Sequence, residues 1–265
     1  MNELLQKTIL ASLEAGERIM EIYENEDFEV DFKSDDSPLT KADIASHNII
    51  MEHLNSTGIP VLSEEGKSIS YKERSSWKKL WIVDPIDGTK EFIKRNGEFT
   101  VNIALIEDQK PIIGVVFVPA LNELYFSTIE VGAFKTSELN HNLLIDDRIK
   151  ESIKLPIKNH DRPFTVVASR SHLSEETAEF ISQLEKKYDK VERLSKGSSL
   201  KLCMVAEGSA DVYPRFAPTM EWDTAAGQAI CIHSGCTVIN WNTKAPLLYN
   251  REELLNPWFL VERGK

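Results

Sequence analysis

The sequence lacks any apolar stretch of the roughly 20 residues that a helix needs to cross a bilayer, so no integral membrane segment is expected. It is poor in cysteine. Cys203, Cys231 and Cys236 are an odd number without a CxxC pair, which excludes a disulfide framework and offers no zinc-finger spacing; buried thiols in a reducing compartment are expected. Positive charge is scarce as well. With 31 Lys and Arg against 42 Asp and Glu, the net charge is -11, which excludes the broad basic surface that a nucleic-acid polymer requires. The amino terminus has no uninterrupted apolar core of the signal-peptide kind, because Glu3, Lys7, Glu14, Glu17 and Arg18 break it up. Neither an internal repeat nor a low-complexity tract is found. The expectation is a soluble, cytoplasmic protein. Peripheral attachment to the cytoplasmic face of a membrane and the oligomeric state stay open.

What is present suffices for a sizeable core: 42% of the 265 residues are apolar, enough for one large domain or two that share a core. An acidic chain of this kind must meet a phosphate-bearing ligand locally. Divalent ions placed between its carboxylates and the ligand would reverse the sign of the site.

Leu5, Ile9, Leu13 and Met20 recur at helical spacing and predict a first helix through about Tyr23. An extended piece around Phe28 to Phe32 and the polar turn Ser34-Asp35-Asp36-Ser37-Pro38 precede a second helix from near Thr40. That helix is expected to turn Ile44, Met51 and Leu54 inward and to carry Asp43 in its first turn, where the helix dipole favours a carboxylate. Ile59 to Leu62 and Leu80 to Val83 read as strands, each ending abruptly in carboxylates. Phe99 to Ile106, Ile112 to Val118 and Glu123 to Ser127 follow as an antiparallel meander. The charged, weakly periodic stretch from Glu138 to Arg162 is the expected domain boundary. Beyond it, strands (Phe164 to Ala168, Asp211 to Tyr213, Thr237 to Trp241) are interleaved with helices (Ser174 to Lys187, Ser198 to Glu207, Asp223 to His233). The chain thus divides into an α+β half, residues 1–150, with an antiparallel sheet and carboxylates that are candidates for metal binding, and an α/β half, residues 151–265, expected to complete their site.

Three segments carry the chemistry. Asp84-Pro85-Ile86-Asp87-Gly88-Thr89 sets two aspartates on a backbone stiffened by proline and released by glycine, immediately after a strand. Asp84, the Ile86 carbonyl and Asp87 could converge there as hard oxygen ligands, though Asp, Pro and Gly are equally the stuff of a surface turn. Ser63-Glu64-Glu65-Gly66 repeats the arrangement, and only one of two adjacent glutamates can point into a shared cluster, though by itself the segment reads better as a solvated loop. Glu221-Trp222-Asp223-Thr224 opens a helix, where Asp223 serves either as a ligand or as an N-cap.

In this order and spacing the three segments resemble the inositol monophosphatase superfamily of metal-dependent, lithium-sensitive phosphatases. The resemblance covers essentially the whole chain and implies a layered αβαβα sandwich of the inositol monophosphatase and fructose bisphosphatase type. It implies Glu64, Asp84, Asp87, Asp223 and the Ile86 carbonyl as ligands of two or three Mg2+ ions, with Li+ as an inhibitor. It further implies that Thr89, its hydroxyl held by Asp43, positions the attacking water together with Glu64, while the amides of Gly88 and Thr89 hold the phosphate. Read from the residues alone, Asp43 is also explained as a first-turn dipole partner.

Lys90, Lys94 and Arg95 fall within six residues directly after this motif, an arrangement that suits a second phosphate on the ligand and equally a solvated loop. The run Gly88-Thr89-Lys90-Glu91-Phe92-Ile93, continuing to Gly97-Glu98-Phe99-Thr100-Val101-Asn102-Ile103, is similar to the 3'(2'),5'-bisphosphate nucleotidases of the CysQ type. That resemblance implies removal of the 3'-phosphate of adenosine 3',5'-bisphosphate to give AMP and phosphate, with 3'-phosphoadenylyl sulfate as a second substrate, in sulfur metabolism. It sets Asp87, Gly88, Thr89, Lys90 and Asp223 around the substrate, and His172, Ser198, Lys201 and Arg215 at its adenosine 5'-phosphate. Local alternatives are that His172 caps a helix, Lys201 is solvated and Arg215 pairs with Glu221. Inositol monophosphate or a sugar bisphosphate remains as an alternative substrate, and a non-catalytic nucleotide or metal sensor as an alternative class.

Overall fold

In the computed structural model, residues 1–25, 30–32, 38–157, 162–168 and 174–264 are described. Helix α1 (Asn2–Glu24) buries Leu5, Ile9, Leu13 and Ile19 along one stripe. A short antiparallel pair, β1 (Val30–Phe32) with β2 (Pro38–Thr40), leads into α2 (Lys41–Asn55). Thr40 caps α2, and Asp43 at the third helical position returns a bond to the Thr40 amide at 2.8 Å. The inward face of α2 is Ala42, Ile50 and Leu54. Ile44 is 41% exposed, contrary to the expected stripe, because Asp43, one position earlier, takes the buried side of the first turn.

A seven-stranded sheet follows in sequence order: β3 (Val61–Ser63), β4 (Lys79–Asp87), β5 (Thr100–Glu107), β6 (Lys110–Val118), β7 (Glu123–Thr128), β8 (Gly132–Thr136) and β9 (Ile153–Lys154). From β4 onward it is the antiparallel meander expected; β3 runs parallel to β4. The single turn α3 (Tyr71–Arg74) lies between β3 and β4, and α4 (Thr89–Ile93) directly follows β4. The polar stretch expected as a boundary is partly built into this sheet. It contains α5 (Ile145–Glu151) and edge strand β9, and Arg148 is fully buried, donating to the carbonyls of Glu138 and Asn140.

The second sheet holds β10 (Phe164–Ala168), β11 (Val191–Ser195), β12 (Val212–Arg215), β13 (Thr237–Asn240) and β14 (Phe259–Glu262), in the order β11-β10-β12-β14-β13. β10, β11 and β12 are parallel; β14 pairs antiparallel with β12 and β13. Helices α6 (Glu175–Lys187), α7 (Leu200–Glu207) and α8 (Glu221–His233) complete the chain. Three apolar clusters mark the spaces between layers. One lies between α1, α2 and the first sheet; one joins that sheet, α7, α8 and the second sheet; one lies under α6. The order helix, sheet, helix, sheet, helix is the αβαβα sandwich. Among the described residues no helix is long and apolar enough to cross a membrane.

Candidate active site

Strand periodicity aims the carboxylates. Leu62 pairs with Ile82, and both point to the α7 and α8 side with Leu80, so the next residues of the same parity, Glu64 and Asp84, share that side. The Glu64 amide continues the pairing by donating to the Val83 carbonyl at 3.1 Å. Asp84 and Asp87 are three apart and on a regular strand would face opposite ways. The ladder slips between them: Asp84 lies opposite Asn102 and Asp87 opposite Thr100, so three steps on β4 match two on β5. This bulge, at Pro85, which has no N–H to pair, turns both aspartates to one face. The Ile86 amide donates to Asp84 Oδ1 at 3.1 Å, fixing the turn.

Helix α8 supplies the third element. It starts at Glu221 rather than at Asp223, with Met220 as its cap. Asp223 is therefore not the N-cap: its Oδ2 accepts the Met220 amide at 2.8 Å, and its carboxylate also takes part in the cluster. One ligand oxygen each from Glu64, Asp84 and Asp223 lies within 4.8 Å of the others. Burial pushes the Asp84 carboxyl well above the usual carboxylate range, and the charges of Glu64, Asp87, Asp223 and Asp43 push it further. Asp223 is raised by burial and then by Asp87. Asp87 is raised by burial too, but the Lys201 charge and the neighbouring Ser199 and Asn102 side chains offset part of the rise. Buried carboxylates that raise one another in this way fit a group of divalent cations, and an all-oxygen set with a backbone carbonyl alongside fits Mg2+.

Beside the cluster, Asp43 is 1% exposed. Its Oδ2 accepts from the amide and hydroxyl of Thr40 at 2.8 and 2.5 Å, and its Oδ1 accepts from Thr89 Oγ1 at 3.2 Å. The Ile86 carbonyl is a second acceptor within reach, at 3.4 Å; the nearer, charged Asp43 is the stronger one for the Thr89 proton. Gly88 precedes α4 at φ +95, where a side chain would meet the Glu98 carbonyl at 3.1 Å.

Asp87, Gly88, Lys90, Glu91 and Asp223 form a shared wall between the carboxylate hollow and a second cleft. Ser198, Lys201, Tyr213 and Arg215 line its far side. The β11–α7 loop and Arg215 lie at the carboxyl ends of parallel strands β11 and β12, the usual place for a ligand crevice. Lys201 is buried rather than solvated, and donates to the carbonyls of Lys196 and Ser198 at 3.1 and 2.6 Å. Burial, reinforced by Arg215, holds its pKa down to about 8. Arg215 does not pair with Glu221. It donates to the Pro218 carbonyl at 2.7 Å, while Glu221 takes the amides of Asn250 and Arg251. His172 lies outside the described residues.

The cation cluster after the metal motif disperses. Lys90 lines the cleft, but Arg95 turns away to the Asn25 carbonyl at 2.6 Å and the Tyr23 ring. Sequence reasoning missed Asn102, Ser199, Glu98 and Lys196. Asn102 donates to Ser199 Oγ, and Ser199 donates to the Asp223 carbonyl, so a chain of bonds at 2.9 and 2.7 Å ties β5, α7 and α8 together beneath Asp87.

The inositol monophosphatase family model matches residues 1–263. The 3'(2'),5'-bisphosphate nucleotidase CysQ of Salmonella typhimurium is 44% identical over 261 residues, covering 97% of this chain and 99% of that protein. The Escherichia coli K12 protein of the same name is 45% identical over 262 residues, with the same coverage. The crystal structure of CysQ from Bacteroides thetaiotaomicron superposes with a TM-score of 0.92 at 51% identity, covering 100% of this chain and 98% of that one. An inositol monophosphatase from Thermotoga maritima has a TM-score of 0.74 at 23% identity, covering 100% and 93%, a likeness of fold alone.

Proposed function

The chain belongs to the inositol monophosphatase family, and on that premise we propose that it is a Mg2+-dependent 3'(2'),5'-bisphosphate nucleotidase. It removes the 3'-phosphate of adenosine 3',5'-bisphosphate to leave AMP and phosphate, and acts also on 3'-phosphoadenylyl sulfate, in the sulfur metabolism of the cytoplasm. One observation carries the choice of substrate: a carboxylate hollow and a cleft with two buried cations share a wall, which suits a ligand with one phosphate on each side of a short spacer.

Glu64, Asp84, Asp87, Asp223 and the Ile86 carbonyl would hold two or three Mg2+ ions, which would supply positive charge against the phosphate and lower the pKa of a bound water. Asp43 orients Thr89 so that a lone pair faces the attacking water; as the water proton passes to Thr89 Oγ1, the hydroxyl proton passes to Asp43 Oδ1, with Glu64 as the second acceptor. The amides of Gly88 and Thr89 and the ammonium of Lys90 meet the reacting phosphate. Ser198, Lys201 and Arg215, with His172, meet the 5'-phosphate and discriminate against monophosphates. Li+ inhibits by competing for a Mg2+ position.

Phosphate release measured in parallel from adenosine 3',5'-bisphosphate, 3'-AMP and inositol 1-phosphate, with Mg2+ and with EDTA, tests the reading. The bisphosphate is expected to be the best substrate and EDTA to stop all turnover. Preference for inositol 1-phosphate would overturn the substrate, and turnover in EDTA would overturn the metal dependence.

A further inference from the structure

Glu98 is a buried carboxylate beside the cleft that none of these steps uses. Its Oε2 accepts the Gly197 amide at 2.9 Å and its Oε1 accepts Lys196 Nζ at 3.2 Å. The Lys196 carbonyl belongs to the same peptide unit as the Gly197 amide, and it accepts Lys201 Nζ at 3.1 Å. In a trans peptide the N–H and C=O point in opposite directions. One peptide unit is therefore gripped between a carboxylate on one side and an ammonium on the other, an arrangement in which each bond polarises the next.

The surroundings leave this loop little alternative. A side chain at Gly197 would meet Glu91 Cγ and the Glu98 carbonyl at 2.8 Å, so the loop lies directly on α4 and the segment that follows it. Ser198 has φ +45, in the left-handed region that serine seldom occupies, and its carbonyl accepts the second bond from Lys201 at 2.6 Å. Two of the three ammonium protons are spent on these carbonyls, which leaves one for an anion in the cleft.

We propose that Glu98 is a positioning residue for nucleotide specificity: through the Lys196–Gly197 peptide it fixes the Lys201 ammonium where the second phosphate of the substrate docks. The inference rests on the reading of Lys201 as a partner of the 5'-phosphate. Without the acceptor at Glu98, the peptide is free to rotate, its carbonyl leaves Lys201, and the ammonium relaxes toward Asp87, whose charge already attracts it.

The test compares Glu98→Ala, Glu98→Asp and Glu98→Gln with the wild type. The readouts are kcat and KM for adenosine 3',5'-bisphosphate and for 3'-AMP, and the affinity for AMP in EDTA by calorimetry. Asp withdraws the carboxylate by one methylene and carries the test if the Ala variant does not fold; Gln keeps an acceptor for the amide. Ala and Asp are expected to raise KM for the bisphosphate about tenfold or more, with the AMP dissociation constant rising in step. KM for 3'-AMP is expected to move less than about threefold, and Gln to stay near wild type. Equal losses on both substrates, no loss on either, or a Gln variant as impaired as Ala would overturn the proposal. A wild type without preference for the bisphosphate would instead remove the activity on which it rests.

Discussion

Replacing Asp84 by asparagine should stabilise the metal-free protein and at the same time abolish its response to Mg2+. Asp84 is 1% exposed, and its carboxyl is held well above the ordinary range by burial and by four neighbouring acids. A group whose pKa is raised on folding contributes stability below its unfolded pKa, near 3.8, and loses that contribution as pH rises through the folded value. At pH 7 the empty cluster is therefore a liability. Coulomb's law at an effective dielectric of about 20 gives about 3.5 kcal/mol for each ionised pair separated by 4.8 Å. Proton uptake relieves part of this, so a gain of about 1 to 3 kcal/mol is expected for the neutral side chain, or about 2 to 10 °C in Tm for a chain of this size. Asparagine also retains an acceptor for the Ile86 amide, which keeps the turn. Thermal melts in EDTA at pH 7 should place the variant above the wild type, with the difference vanishing toward pH 4. Saturating Mg2+ should reverse the order, and phosphate release should be lost. A metal-free variant less stable than the wild type at pH 7, or one stabilised by Mg2+ to the same degree, would refute the reasoning.

Thr89→Ala should lower kcat by about 100- to 10,000-fold with Mg2+ affinity nearly intact; an unchanged kcat would remove Thr89 and Asp43 from water activation. Lys201→Ala or Arg215→Ala should reduce kcat/KM for adenosine 3',5'-bisphosphate by roughly 10- to 150-fold and leave 3'-AMP hydrolysis little changed, and a uniform loss would reassign both cations. Because burial holds the Lys201 ammonium near pKa 8, kcat/KM for the bisphosphate should fall as pH rises through about 8, where the charge is lost. Lys201→Arg, which stays charged, should move that limb to higher pH, and a limb that stays put would belong to another group. Li+ inhibition should be noncompetitive or uncompetitive with substrate and relieved by excess Mg2+; resistance at high Li+ would indicate a different ion arrangement.

The carboxylates of the hollow were legible through the order of three motifs, each of which read by itself is equally a turn, a loop or a helix cap. A strand, a proline and a glycine within nine residues aim Asp84 and Asp87, and parity along β3 and β4 aims Glu64. Asp223 was named as a ligand through its motif, and its local alternative, the N-cap, fails because Met220 holds that position at the start of α8. The cleft was less legible. Asn102, Ser199, Glu98 and Lys196 act on partners that are in most cases about a hundred residues away, and no spacing along the chain announces such pairs. Counting cations in sequence also misled: α4 is a single turn, so Lys90 at its start and Arg95 past its end leave in different directions. Strands β8, β9, β11 and β14 were not anticipated, being short or, in β9 and β11, exposed enough to blur the alternation that marks a strand.

The layers that build this molecule distribute its charges unequally. Three of the acids sit on the first sheet, whereas Asp223, Lys201 and Arg215 arrive on helices and a strand from the last quarter of the chain. A nascent chain that has completed only its first sheet carries the repulsion without the residues that complete the hollow. Mg2+ bound at the completed hollow would then be linked to folding: it would favour the docking of the late segments with free energy that a partly assembled form could not collect.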